Sequence, residues 1–100
     1  MMVAWYIPYK LVEGSSVQDF LLAQEKCSTE VLSKKKGFVS WQVLSDGDTW
    51  IDFVTWETEE DAIHAEQENG DIHPAAQAFY GFIDPSTLQH QMLSIEKTYK

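Results

Sequence analysis

Few side chains in this sequence can do chemistry, and none forms a familiar catalytic pattern. Asp52 sits inside the strand-like run TWIDFVTWE, on the same alternating face as Trp50, Val54 and Trp56. A carboxyl on an apolar face must either shift its pKa upward or find hydrogen-bond donors. Asp52 is therefore a candidate catalytic acid or base, with structural pairing to a Tyr or His as the alternative. His64, in the helical run TEEDAIHAE, is the second candidate catalytic residue. It is a base of suitable type if it points into a pocket, and a surface residue otherwise. His73 precedes Pro74 at a helix start, which suits a local cap or the rim of a substrate pocket, and His90 could line either a pocket or an interface. The three histidines do not have the spacing of a two-His helical metal site. Seven carboxylates between Glu57 and Asp71 lack a calcium-loop pattern and read as a solvated helix face. No metal and no cofactor are expected. The lone Cys27 falls on a buried helical stripe and reads as inert core.

Aromatic side chains are abundant. Trp56, Tyr80, Phe79, Tyr6 and Trp50, with His73, form the expected substrate-binding set; Trp5, Trp41, Phe53 and Phe82 add further rings. Aromatic walls with a few polar tips suit an apolar small-molecule pocket, and aromatic residues also suit dimer interfaces.

Sixteen Asp and Glu oppose seven basic residues, all lysines, for a net charge of -9. Without arginine and with this charge, nucleic acid is not an expected partner, nor is a substrate held by bidentate guanidinium clamps. No lysine lies between Lys36 and Lys97, so the expected ligand is a neutral or weakly acidic aromatic molecule. No apolar run reaches the ~18 residues of a membrane span. The opening MMVAWYIPYK lacks the basic start of a signal peptide. With a single cysteine, the expectation is a cytoplasmic protein with no membrane partner.

Residues 1–100 read as one domain. Residues 3–11 read as a strand, with Pro8 suggesting an edge or a bulge. Ser15 with Gln18, or Ser16 with Asp19, starts a helix whose stripe runs Val17, Phe20, Leu21, Gln24, Cys27, Val31, with Lys34 to Lys36 in its last turn and Gly37 as its exit. Strands at 38–45 and 49–57 flank an Asp-Gly hairpin signal. Thr58 caps a second helix that Asn69 and Gly70 stop, residues 72–81 form a short third helix, and residues 88–99 form a final strand. The order predicts an α+β, ferredoxin-like split βαβ fold with a four-stranded antiparallel sheet.

A sheet covered on one side should alternate apolar with polar. Here Ile51, Phe53 and Thr55 oppose Trp50, Val54 and Trp56, and Ala4, Tyr6 and Pro8 oppose Trp5, Ile7 and Tyr9. Neither face is polar, so a second copy of the sheet is expected on the other side, making a homodimer.

The segments VTWETEEDA and HPAAQAFYGFI resemble the antibiotic biosynthesis monooxygenase-like proteins of the dimeric α+β barrel superfamily. Trp56, Glu57, Thr58, Asp61 and Ala62 carry the first likeness, and His73, Pro74, Gln77, Ala78 and Phe79 the second. The resemblance implies two sheets meeting in a barrel and a pocket in each subunit between sheet and helices. The helix histidine of many members falls on Ala65, one residue after His64. The haem-degrading members' strand Asn is missing, and Tyr80 stands nearest their haem ligand, so haem is not implied. Two functions follow: a cofactor-independent monooxygenase-like enzyme acting on a small apolar aromatic or phenolic compound, or a non-catalytic binding or sensing homodimer.

Overall fold

The computed structural model describes residues 1–68 and 73–100. In chain order these form β1 (Val3–Lys10), α1 (Val17–Glu30), a 3₁₀ turn (Leu32–Lys34), β2 (Phe38–Asp46), β3 (Thr49–Trp56), α2 (Glu59–Gln67), α3 (Pro74–Tyr80) and β4 (Gln91–Ser94). The strands make one antiparallel sheet in the order β2-β3-β1-β4. This is the ferredoxin-like arrangement that the element order predicts.

Local chemistry explains the element starts. Ser16 accepts from the Asp19 N–H at 3.2 Å, and Thr58 accepts from the Asp61 N–H at 3.0 Å, each satisfying an amide that the first helical turn leaves free. The carboxylates of Glu59, Glu60 and Asp61 then crowd the positive end of α2. Asp46 pairs with Thr49, so Gly47 and Asp48 alone make the hairpin, with Gly47 at φ 63°. Gly37 has φ 82°, and a β-carbon there would collide with the Asp61 side chain, so glycine is needed twice over.

Three expectations are corrected. Helix α1 ends at Glu30 because Val31 leaves helical geometry; Lys34 then lies in the separate 3₁₀ turn, and no basic residue occupies the last turn of α1. The final strand is four residues long, not twelve: its ladder with β1 runs from Tyr6–Gln91 to Val3–Ser94, flanked by single bonds from Gln89 N–H to Pro8 and from Ile95 N–H to Met2. Strand β1 is interior and unbulged along its β3 partner. Pro8 is tolerated there because β4 pairs only as far as Tyr6; on that side the Pro8 carbonyl accepts from the Gln89 N–H at 3.0 Å, and the missing proline N–H points the same way. The expected helix stop at Asn69 and Gly70, Asp71 of the acidic segment, and a third-helix start at Ile72 lie outside the described residues.

The helices cover one sheet face. Two core clusters form there. One joins Val3, Trp5, Val54 and Trp56 to Ala62 and Ala65 of α2; the other joins Tyr9 to Phe20, Cys27, Ala76, Phe79 and Ile83. Ile7 and Trp41 touch both clusters and mark the seam between them. On the opposite face Tyr6 sits across from Phe53, Pro8 from Ile51, and Leu44 from Ile51, with Leu93 across from Ala4. Leu44 and Leu93 are 47% and 42% exposed. Among the described residues no helix is long and apolar enough to cross a membrane.

Candidate functional site

A cavity of about 180 Å³ opens along the seam of the two core clusters. Strand β1 contributes Trp5 and Ile7, β2 contributes Trp41, and β3 contributes Asp52 and Val54. The roof comes from Cys27 of α1, Leu32 of the 3₁₀ turn and Phe79 and Tyr80 of α3; Ile83, Leu88 and His90 complete the wall on the way to β4. Alternation places Trp5, Trp41, Asp52 and Val54 side by side, because directly paired residues of antiparallel strands share a face.

Asp52 is the polar centre of this wall and is 3% exposed. The Tyr9 hydroxyl donates to its Oδ1 at 2.9 Å, and Gln24 Nε2 donates to the same oxygen at 2.9 Å. Burial pushes the carboxyl up to about 7, against the opposing pull of the Tyr9, Trp41 and Gln24 donors. The Trp41 indole N–H lies close enough to favour the carboxylate but outside hydrogen-bond geometry, so it is a buried donor without a partner. Trp5 also has a buried, unpartnered indole N–H. Indole nitrogen only donates, and a buried donor left unmade costs about 1–3 kcal/mol. The wall is thus short of acceptors.

The neighbouring groups are protonated near neutral pH. The Tyr9 phenol is driven far up, by burial first and then by Asp52. Burial, and then Asp52, push the Cys27 thiol up to about 11, against the weaker opposing influence of Lys35, so it is not a thiolate nucleophile. Among the carboxyl, thiol and phenol groups described here, Asp52 is the one poised to change charge in the range where a general acid or base works best.

The expected site residues divide. Asp52, Phe79 and Tyr80 come together in the cavity wall. His64 does not join them: its side chain is 70% exposed on α2, with Nε2 3.6 Å from a Glu68 oxygen. The helical stripe of α2 that meets the sheet is Ala62 and Ala65, and His64 falls between them on the turn. Trp56 is fully buried and packs on Trp5 with ring centroids 4.8 Å apart, so it backs a wall residue without lining the cavity. Trp50 stacks edge-on against Phe20 at 5.1 Å in the second cluster. Tyr6 is on the open sheet face. His73 is the N-cap of α3, its Nδ1 accepting from the Ala75 N–H at 3.1 Å.

Trp5, Trp41 and Cys27 line the cavity without having been expected in the site, and His90, expected in a pocket or an interface, lines the cavity. His90 carried a readable signal. It has the parity of Met92, which pairs with Trp5 on the covered face. Among the described residues no three His, Cys, Asp or Glu side chains gather as a metal site would require.

Neither a family model nor a curated protein matches the sequence. Solved structures do share its fold. SnoaB, a cofactor-independent oxygenase from Streptomyces nogalater, superposes with a TM-score of 0.75 at 15% identity, covering 97% of this chain and 95% of that one. A Bordetella bronchiseptica protein assigned as an antibiotic biosynthesis monooxygenase gives 0.75 at 12% identity, covering 94% and 96%. A Bacillus cereus protein with the same assignment gives 0.66 at 18% identity, covering 99% and 95%. The chain therefore has the fold of the antibiotic biosynthesis monooxygenase-like proteins, as the motifs around Trp56 and Phe79 imply.

Proposed function

We propose that this chain is a cofactor-independent monooxygenase-like enzyme acting on a small aromatic or phenolic compound, with Asp52 as the acid–base group of its cavity. The observation that carries this reading is a nearly sealed carboxyl, poised near neutral pH, in the wall of an otherwise apolar, aromatic cavity. The oxygenase fold neighbours support the reaction class. In such chemistry the deprotonated substrate itself reduces oxygen, so the protein supplies a dry pocket, a base and hydrogen-bond donors. For a hydroquinone the balance is hydroquinone plus dioxygen giving hydroxyquinone plus water, with all electrons coming from the ring. The cavity, about 180 Å³, is close to the ~150 Å³ cavity that holds benzene and well below typical drug-sized pockets. A substituted single ring is the expected size.

The working unit in this proposal is a homodimer. Tyr6, Pro8, Ile51, Phe53, Leu44 and Leu93 leave an apolar sheet face with no cover from their own chain, which a second copy would bury. The decisive experiment is oxygen uptake by the pure protein with substituted hydroquinones. Uptake above buffer, with the hydroxyquinone formed in equal amount, supports the enzyme. Absence of uptake across the series, together with saturable quenching of tryptophan fluorescence, would leave a binding or sensing dimer. The exposed position of His64 favours that second reading, because it removes one of the two candidate bases from the cavity.

A further inference from the structure

His90 is the one imidazole in the cavity wall. Its side chain is 24% exposed, so it reaches both the cavity and solvent, and its Nδ1 lies 3.9 Å from Glu66 Oε1 on α2. The ring meets Trp5 edge-on, with centroids 5.2 Å apart and planes at 82°. The backbone on both sides is fixed: Gln89 N–H donates to Pro8, and Gln91 pairs with Tyr6. The carboxylate stands at ion-pair distance from Nδ1 without a hydrogen bond, and the Trp5 ring packs against the imidazole, so electrostatics and packing together constrain a group of the type that moves protons.

We propose that His90, oriented by Glu66, takes the proton of a phenolic ligand in this cavity, while Asp52 stays protonated and donates a hydrogen bond to the ligand. This rests on the proposed function's reading of the cavity as a site for phenols and moves one role within it, the base, from Asp52 to His90. The ligand O–H bond breaks, its proton passes to His90 Nε2, and the electron pair remains on oxygen as phenolate. Imidazolium then lies between two anions, the phenolate and Glu66. The alternative, a proton taken by Asp52, needs the carboxyl ionised beforehand in apolar surroundings already lacking cations. It also leaves the phenolate facing a neutral carboxylic acid, with no cation beside it. Opposite charge within about 4–6 Å favours ionisation, by roughly 1–3 pKa units, and like charge opposes it. The other ionisable groups facing the cavity are Cys27 on α1 and Tyr80 on α3, and neither is cationic. Glu66 and His90, on separate segments, meet only in the folded chain.

The test uses 4-nitrophenol, a single-ring probe whose visible band belongs to its phenolate. Saturable quenching of tryptophan fluorescence reports binding, and the visible band reports the proton. With wild-type protein the bound dye should ionise at lower pH than free dye. H90Q should raise the bound dye's midpoint by at least about one unit while quenching stays saturable. E66Q, at an exposed carboxylate whose loss leaves the core untouched, should raise it by a smaller amount in the same direction. D52N should leave the midpoint unchanged or lower it. A rise with D52N and none with H90Q or E66Q would assign the proton to Asp52 and overturn the proposal while the phenol site stands. Absence of saturable quenching in wild type would overturn the phenol site, and this inference with it.

Discussion

The two faces of the sheet are built from the same kinds of residue and come to opposite ends. On the covered face Val3, Trp5, Tyr9, Val54 and Trp56 are all at most 3% exposed, and the one charged member, Asp52, holds two donors. On the open face Tyr6, Phe53 and Ile51 are only half-buried, and Leu44 and Leu93 are exposed. Alternation decides which residues share a face; it does not decide what covers them. The covered face finds its partners within the chain and keeps one gap between two packed clusters, which is the cavity. The open face is apolar too, and among the described residues no element of its own chain covers it.

Substitutions can break this contrast face by face. The largest effect belongs to the covered side: Phe20→Ala, at a fully buried ring contacting Tyr9, Trp50, Phe79 and Phe82, should cost about 3–5 kcal/mol in urea unfolding. Next comes Asp52→Asn. Asp52 has a folded pKa above its unfolded value of ~3.9. The wild type therefore binds an extra proton when folded, is most stable below that value, and loses stability as pH rises through about 7. At pH ~8 the Asn variant should be more stable than wild type by about 2–4 kcal/mol, with the two nearly equal near pH ~4. Denaturation curves across pH would show a flat variant and a falling wild type. A wild type whose stability rises over that window would reverse the sign and refute the buried-acid description.

The open face gives a smaller effect, read in assembly. Phe53→Glu should weaken self-association at least about a hundredfold in sedimentation, roughly 2.7 kcal/mol, and leave the helical signal unchanged. An unchanged mass would move the interface off this face. The smallest effect is expected at His64. His64→Gln should stay within about 0.5 kcal/mol of wild type and leave ligand quenching unaltered, which would sharpen the separation between the outer surface of α2 and the cavity.

Much of the fold is legible in the sequence. The run TWIDFVTWE placed Asp52 with Trp50, Val54 and Trp56, and the structure puts all four on the covered face. The caps at Ser16 and Thr58 were readable from spacing because they depend only on neighbours in the chain. The site was harder. Whether Trp50 or Trp41 reaches the cavity depends on where Phe20 stacks and where the two clusters fail to meet, which is tertiary. For His64 the sequence leaves both pocket and surface open because a helix carries it; the stripe of Ala62 and Ala65 turns it outward. Strand-like residues on both sides of β4 make it look longer than it is, because only the four pairs from Tyr6–Gln91 to Val3–Ser94 form a ladder with β1.

The most direct test of the central claim is a carbon NMR titration of the Asp52 carboxyl, with and without a single-ring phenol. The account predicts a midpoint near 7 in the free protein that rises further when phenol is added. A midpoint in the ordinary carboxylate range, about 4, unmoved by phenol, would contradict it.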